Sequence, residues 1–305
     1  MSVPTYDQVR DAAVTIAPWV RRTPVVEVDV EGHQVVLKLE LLQHAGSFKA
    51  RGAFTNVLGA ARTPTTLVAA SGGNHGLAVA HAGQALGIPV RVFVPESAPE
   101  VKVRAIRERG AEVDLAGATY AEALAASREA GEQEGALVLH AYDATGTVTG
   151  QGTVGLEIAE QVPDVDTVLV AVGGGGLVSG VAIGLDRTAK VVAIEPEGCP
   201  TLRRAMSEGA PVDVQVGGVA VDALGASRLG SIAWSVVRDH DVESVLVTDE
   251  AITEARQWLW RHTRVAAEPA GAAALAALLS GAYVPQEDER VCVVVCGGNA
   301  DPSGL

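Results

Sequence analysis

Lys49 lies in Ser47-Phe48-Lys49-Ala50-Arg51-Gly52, just inside the start of a segment whose apolar residues Phe48, Ala53, Phe54, Val57 and Leu58 recur at helical spacing. Ser47 reads as the N-cap of that helix. In the first turn the positive end of the helix dipole disfavours an ammonium and lowers its pKa. A neutral amine attacks carbonyls, the chemistry of Schiff-base formation. An isolated helix lysine is ordinarily solvated, so chemistry at Lys49 requires partners elsewhere in the chain.

Three glycine turns supply candidates. Gly173, Gly174, Gly175 and Gly176 follow the apolar run Val168–Val172 and precede a helical pattern, so bare backbone at a helix start can wrap an oxyanion such as phosphate. A dinucleotide reading finds an acid, Glu195, at the right distance, but the third glycine of the fingerprint falls on Val178 or Ser179. No Gly-Lys-Ser/Thr ending marks a nucleoside triphosphate site. Ser71-Gly72-Gly73-Asn74-His75-Gly76 likewise joins a strand to a helix and offers donors suited to a carboxylate. Cys296 ends an apolar strand before Gly297-Gly298, where its side chain would face a crevice at a sheet's carboxyl edge. Singly, each has a bland alternative: a tight turn without ligand, or a packed core cysteine. Together they describe a site for a phosphorylated aldehyde cofactor and an amino acid.

These residues need a scaffold that brings strand ends together. Strand and helix patterns alternate along the chain: strands at 35–40, 66–70, 90–94, 112–115, 167–172, 191–195 and 291–295, with helices between them at 75–86, 98–109, 120–134, 153–161 and 177–188. Further helices are expected at 6–17, 200–208, 226–239, 250–263 and 269–280. Such alternation predicts an α/β protein with two open, mostly parallel, twisted sheets flanked by helices. Residues 140–153, rich in Gly, Thr and Asp, read as an irregular crossing between domains.

At 305 residues the chain can form two domains, and 48% hydrophobic against 20% charged residues is a globular composition. With 37 acids, 23 bases and a net charge of −14, nucleic acid and anionic membrane surfaces are poor partners. Cys199, Cys292 and Cys296 form no CxxC pair or disulfide framework, which points to a reducing compartment. The first twenty residues lack the apolar run of a signal peptide, and residues 270–279 are too few to span a bilayer. The expectation is a cytoplasmic protein.

The chain resembles the serine/threonine dehydratase family of pyridoxal-phosphate enzymes of fold type II, which also includes serine racemase and tryptophan synthase β. The resemblance rests on Arg22-Thr23-Pro24, Ser47 to Ala53, Ser71 to Gly76, Gly150-Gln151-Gly152-Thr153, Gly173 to Leu177, Glu268-Pro269-Ala270-Gly271-Ala272 and Cys296-Gly297-Gly298-Asn299, in that order. It implies that Lys49 holds the cofactor as an imine and acts as the base at Cα. It further implies that Phe48 packs on the ring, Asn74 meets the 3′-oxygen, Gly173 to Gly176 hold the phosphate and Cys296 faces the ring nitrogen. Ser71, Gly72, Asn74 and His75 would receive the substrate carboxylate. A cation site would fall at Glu195, the Cys199 carbonyl and Thr201, where a hydroxyl in place of an acid favours a monovalent ion or none. The implied organisation is a large domain of residues 1–61 and 145–305 and a small mobile domain of residues 62–144, in a homodimer. The implied activity is elimination of ammonia from a 3-hydroxy amino acid such as L-threonine or L-serine. Alternatives on this scaffold are a serine racemase, or a hydroxyaspartate or phenylserine dehydratase. Racemases of the family carry a serine where Gly72 stands, which favours elimination. The segment His140-Ala141-Tyr142-Asp143-Ala144 departs from the usual His-Pro-Phe-Asp-Asp, and no regulatory domain is expected after Cys296.

Overall fold

A computed structural model describes residues 2–301. The chain opens with α1 (Tyr6–Ile16), then a hairpin of β1 (Val25–Val30) and β2 (His33–Lys38) closed by Glu31-Gly32, both at positive φ as a tight hairpin turn requires. The hairpin forms one edge of a six-stranded sheet in the order β1-β2-β10-β7-β8-β9, parallel apart from the hairpin. The other members are β7 (Thr167–Ala171), β8 (Lys190–Pro196), β9 (Glu243–Val247) and β10 (Val291–Val294). The second sheet has four parallel strands ordered β5-β4-β3-β6: β3 (Thr66–Ala70), β4 (Val90–Val94), β5 (Glu112–Leu115) and β6 (Ala136–Val138). The two mostly parallel sheets expected from the alternation are thus both present. Three strands escaped it: β1 is a largely exposed hairpin edge, β6 has only three residues, and β9 begins with Glu243 and Ser244 at a sheet edge.

The last strand in sequence, β10, lies centrally between β2 and β7, which accounts for its unbroken apolar run Val-Cys-Val-Val. One hydrophobic cluster surrounds the larger sheet and includes α12 (Pro269–Leu279). A second surrounds β3 and β4 with α3 (Asn74–Leu86), α4 (Glu100–Arg107) and the inner face of α2 (Lys49–Leu58), through Ala53, Phe54 and Val57.

The stretch 140–153 is largely helical rather than irregular: α6 runs Thr145–Gln161. Glycines there lose helix propensity, about 1 kcal/mol each relative to alanine, but they let backbones touch. A Cβ on Gly150 would lie 2.6 Å from the Arg51 carbonyl oxygen on α2. On the opposite side, α7 (Gly176–Leu185) approaches so closely that a Cβ on Gly184 would lie 2.0 Å from the Gly152 carbonyl oxygen. Small residues that read locally as a loop are here the condition for a three-helix contact.

Candidate active site

Each chemical motif lies in the connection that follows a strand. The lysine segment follows β2, Ser71–Gly76 follows β3, the glycine loop follows β7, and Cys296 follows β10. Backbone bonds stitch the lysine segment to the end of β10: Leu41 N donates to Val295 O (2.9 Å), Phe48 N to Cys296 O (3.3 Å) and Gly298 N to Gly46 O (2.9 Å). Ser47 does not cap the helix. Its backbone is extended, at φ −162° and ψ 161°, and bridges to Gly297, and its buried hydroxyl makes no hydrogen bond among the described residues. Phe48 is the residue preceding α2, and Lys49 is the first helical residue.

The Lys49 amine donates to the Ala141 carbonyl at 2.7 Å and lies 5.1 Å from the centre of the Phe48 ring. Burial lowers its pKa to about 8, against weaker opposing pulls from Cys296 and Glu268. The Ala141 carbonyl is fixed by its neighbours. His140 Nδ1 accepts from Asp143 N at 2.9 Å, and the Asp143 carboxylate accepts from Ser231 N, Ser231 Oγ and Ile232 N at 2.9–3.0 Å, capping α10 (Ser231–Asp239).

Beneath the helix, Arg51 is fully buried and spends its guanidinium on two carboxylates. It reaches Glu40 at 2.7 and 2.9 Å, Glu157 at 2.7 and 2.9 Å, and Thr153 Oγ at 3.0 Å. Lys38 donates to Glu157 and to Gln161. Burial alone would raise the Glu40 carboxyl, but Arg51 outweighs it and holds the pKa below the ordinary value. This charge-balanced cluster fixes the Lys49 helix to β2 and α6.

One crevice collects Phe48, Lys49, Asn74, Gly173, Gly174, Gly175, Gly176 and Cys296, with Tyr142 and Glu268 added by the fold. The glycine loop needs its missing side chains. A Cβ on Gly174 would lie 2.3 Å from the Tyr142 ring, a Cβ on Gly173 would lie 2.8 Å from the Leu224 backbone, and Gly175 has φ +87°. The loop ends at the α7 N-terminus, whose first N–H groups suit an anion. The buried Cys296 thiol contacts Ala270 O at 3.4 Å, and burial raises its pKa, so it stays protonated.

In the loop leading to Asn74, the Ser71 hydroxyl accepts from Gly73 N at 3.2 Å, an inward turn. The His75 ring shares a 2.9 Å hydrogen bond with Leu139 O, in which Nε2 is the donor, and burial drops its pKa to about 3. His75 is therefore neutral and offers an anion its main-chain N–H in the first turn of α3, not a charged ring. The expected cation ligands are also engaged otherwise. Glu195 accepts from Leu202 N (2.7 Å), Arg203 N (2.8 Å) and Ser244 Oγ (3.3 Å). Thr201 Oγ donates to Gly173 O at 2.6 Å, and the Cys199 carbonyl accepts from Thr201 N. Glu195 thus caps α8 (Thr201–Glu208), while Thr201 braces the glycine loop. Among the described residues no group of three or more His, Cys, Asp or Glu is arranged to hold a metal ion.

Residues 16–297 match the family described as pyridoxal-phosphate dependent enzyme. The chain is 34% identical to a serine racemase of Oryza sativa subsp. indica, over 96% of this chain and 90% of that one. It is 35% identical to an L-threonine ammonia-lyase of Thermotoga maritima, over 97% of this chain and 76% of that one. The solved structure of maize serine racemase superposes with a TM-score of 0.92 at 34% identity, covering 98% of this chain and 95% of that one.

Proposed function

The chain belongs to the family of pyridoxal-phosphate-dependent enzymes, and from that premise we propose that it eliminates the β-hydroxyl of L-threonine or L-serine to give a 2-oxo acid and ammonia. The residues present fit the cofactor. Lys49 offers an aldehyde-reactive amine with a pKa near 8, and Gly173 to Gly176 form a side-chain-free anion cradle at a helix start. Phe48 would flank the ring, Asn74 would meet its 3′-oxygen, and Cys296 its nitrogen. When bound, the cofactor supplies an acceptor for the electron pair released at Cα.

This chain's own groups do the remaining work. Main-chain N–H groups at the start of α3, that of Asn74 among them, would bind the substrate carboxylate. Lys49 Nζ, oriented by the Ala141 carbonyl at 2.7 Å, takes the Cα proton. The β-hydroxyl leaves with a proton, and the released enamine tautomerises and hydrolyses in water to the 2-oxo acid and ammonia. A neutral thiol at Cys296 is a weak acid toward a ring nitrogen, which disfavours transamination.

The observation that carries elimination over racemisation is the absence of a side-chain base in the loop before Asn74. Racemisation needs a proton carrier on each face of Cα, whereas Gly72 and Gly73 have no side chains and the Ser71 hydroxyl is occupied by Gly73 N. Racemases among the relatives keep the second reading in view. Incubation with L-serine, L-threonine, 3-hydroxyaspartate and phenylserine, followed by 2-oxo acid assay and chiral analysis, tests both. We expect pyruvate or 2-oxobutyrate to dominate; D-serine formed faster than pyruvate refutes the proposal. Gly72→Ser should fold, because a Cβ there meets only Val94 Cγ1 at 3.6 Å, and should raise D-serine formation relative to pyruvate. We further infer that residues 62–144 move as a small domain over the larger one in a cytoplasmic homodimer. No helix among the described residues is long and apolar enough to cross a membrane.

A further inference from the structure

Among the described residues, Glu268 supplies the one carboxyl group in the wall of the crevice, and it is 6% exposed. It precedes α12, with Pro269 as the first helical residue, and its N–H donates to Gly297 O at 3.1 Å. Gly297 makes room for the side chain, since a Cβ there would lie 2.0 Å from Glu268 Oε1. That oxygen accepts from Asn74 Nδ2 at 2.6 Å, across 194 residues of sequence. The other end of the Asn74 amide is also engaged: Asn299 Nδ2 donates to Asn74 Oδ1 at 2.8 Å and to Ala45 O at 2.7 Å.

We propose that Glu268 is a positioning residue of this site, which together with Asn299 sets the orientation of the Asn74 amide and so decides which end of it faces the cofactor. An amide NH2 carries two hydrogens. Glu268 takes one, and the second is the donor that Asn74 offers to the crevice. Without both partners the amide can turn and present its oxygen, which repels an oxygen on the cofactor ring. Burial raises the Glu268 pKa to about 7, opposed by the Asn74 bond, so near neutral pH protonated and ionised forms coexist, and either has an oxygen that accepts from Asn74. The inference rests on the pyridoxal-phosphate site proposed above, and it concerns binding of the cofactor, not turnover.

The test is a fluorescence titration of the full chain with pyridoxal 5′-phosphate, with the absorption band of the bound cofactor and the Tm recorded for each variant. Glu268→Gln keeps a carbonyl acceptor of the same shape, and its Kd and band should match the parent. Glu268→Leu keeps the volume and loses the acceptor; its Kd should rise about tenfold or more, with a shifted band. Asn299→Ala should move both readouts in the same direction by a smaller factor. A purely packing role would lower the Tm of Glu268→Leu and leave Kd and band alone, and that result overturns the proposal. Glu268→Gln as damaging as Glu268→Leu overturns it as well. If Glu268→Leu does not fold, a parent-like Asn299→Ala decides against it. A parent chain that binds the cofactor yet forms no 2-oxo acid counts against elimination alone.

Discussion

Replacing Arg51 with Met removes the guanidinium that bonds in pairs to both Glu40 and Glu157, and leaves Glu40 fully buried without its main counter-charge. What remains to Glu40 is the Thr23 hydroxyl and the neighbouring Lys38, which is itself committed to Glu157. Breaking a buried pair by deleting one partner costs about 3–5 kcal/mol. At roughly 1.6 °C per kcal/mol for a chain of this size, Tm at pH 7 should fall by roughly 5–8 °C. The pH dependence gives a second signature. In the parent, the folded-state pKa of Glu40 is depressed, so its contribution is present above the unfolded pKa and is lost as pH falls through the folded value. In the variant, burial is no longer outweighed and the folded pKa lies above the unfolded one. The penalty is then absent below the unfolded pKa and grows as pH rises. The Tm gap between variant and parent should therefore narrow between pH 7 and pH 4.5. Scanning calorimetry across that range reads both effects, and adding Glu40→Leu should recover much of the loss. A Tm within 2 °C of the parent at pH 7, or a gap that widens on acidification, refutes the reasoning.

Three further outcomes follow from the crevice itself. Because burial lowers the Lys49 pKa to about 8, imine formation with pyridoxal 5′-phosphate, trapped by borohydride, should rise through a midpoint near pH 8; a midpoint near 10.5 would show an ordinary solvated lysine. The same depression means that the unfolded chain binds more protons between about 8 and 10.5, so stability of the cofactor-free protein should increase with pH across that window. Gly174→Ala places a methyl 2.3 Å from the Tyr142 ring and must displace either the ring or the loop, so cofactor affinity measured by equilibrium dialysis should fall about tenfold or more, and parent-like affinity would contradict the cradle.

Much of the architecture was legible because its signals are local. A buried parallel strand writes itself as an apolar run, and a glycine turn before a helical pattern marks where it ends. The helix α6 was not legible, because its glycines and threonines are poor helix formers by propensity and make sense only against α2 and α7. The Ser47 cap failed for a similar reason: pairing with Gly297, 250 residues later, pulls its backbone into an extended form. His75 carries a motif residue, yet its ring is neutralised by burial and bonded to Leu139, which no spacing rule reveals.

By itself, the sequence determined that Lys49, a run of four glycines and Cys296 each lie past the end of a strand, since residue type and backbone period are local properties. The tertiary structure alone decided how these groups are tuned. The Lys49 pKa follows from burial, and its amine is held by a carbonyl 92 residues away. The buried charges of Lys38, Glu40, Arg51 and Glu157 balance only once β2, α2 and α6 meet. The orientation of Asn74 is set by Glu268 and Asn299 from the opposite end of the chain. Desolvation and hydrogen bonding depend on which groups share a volume, and that is a property of the packed chain.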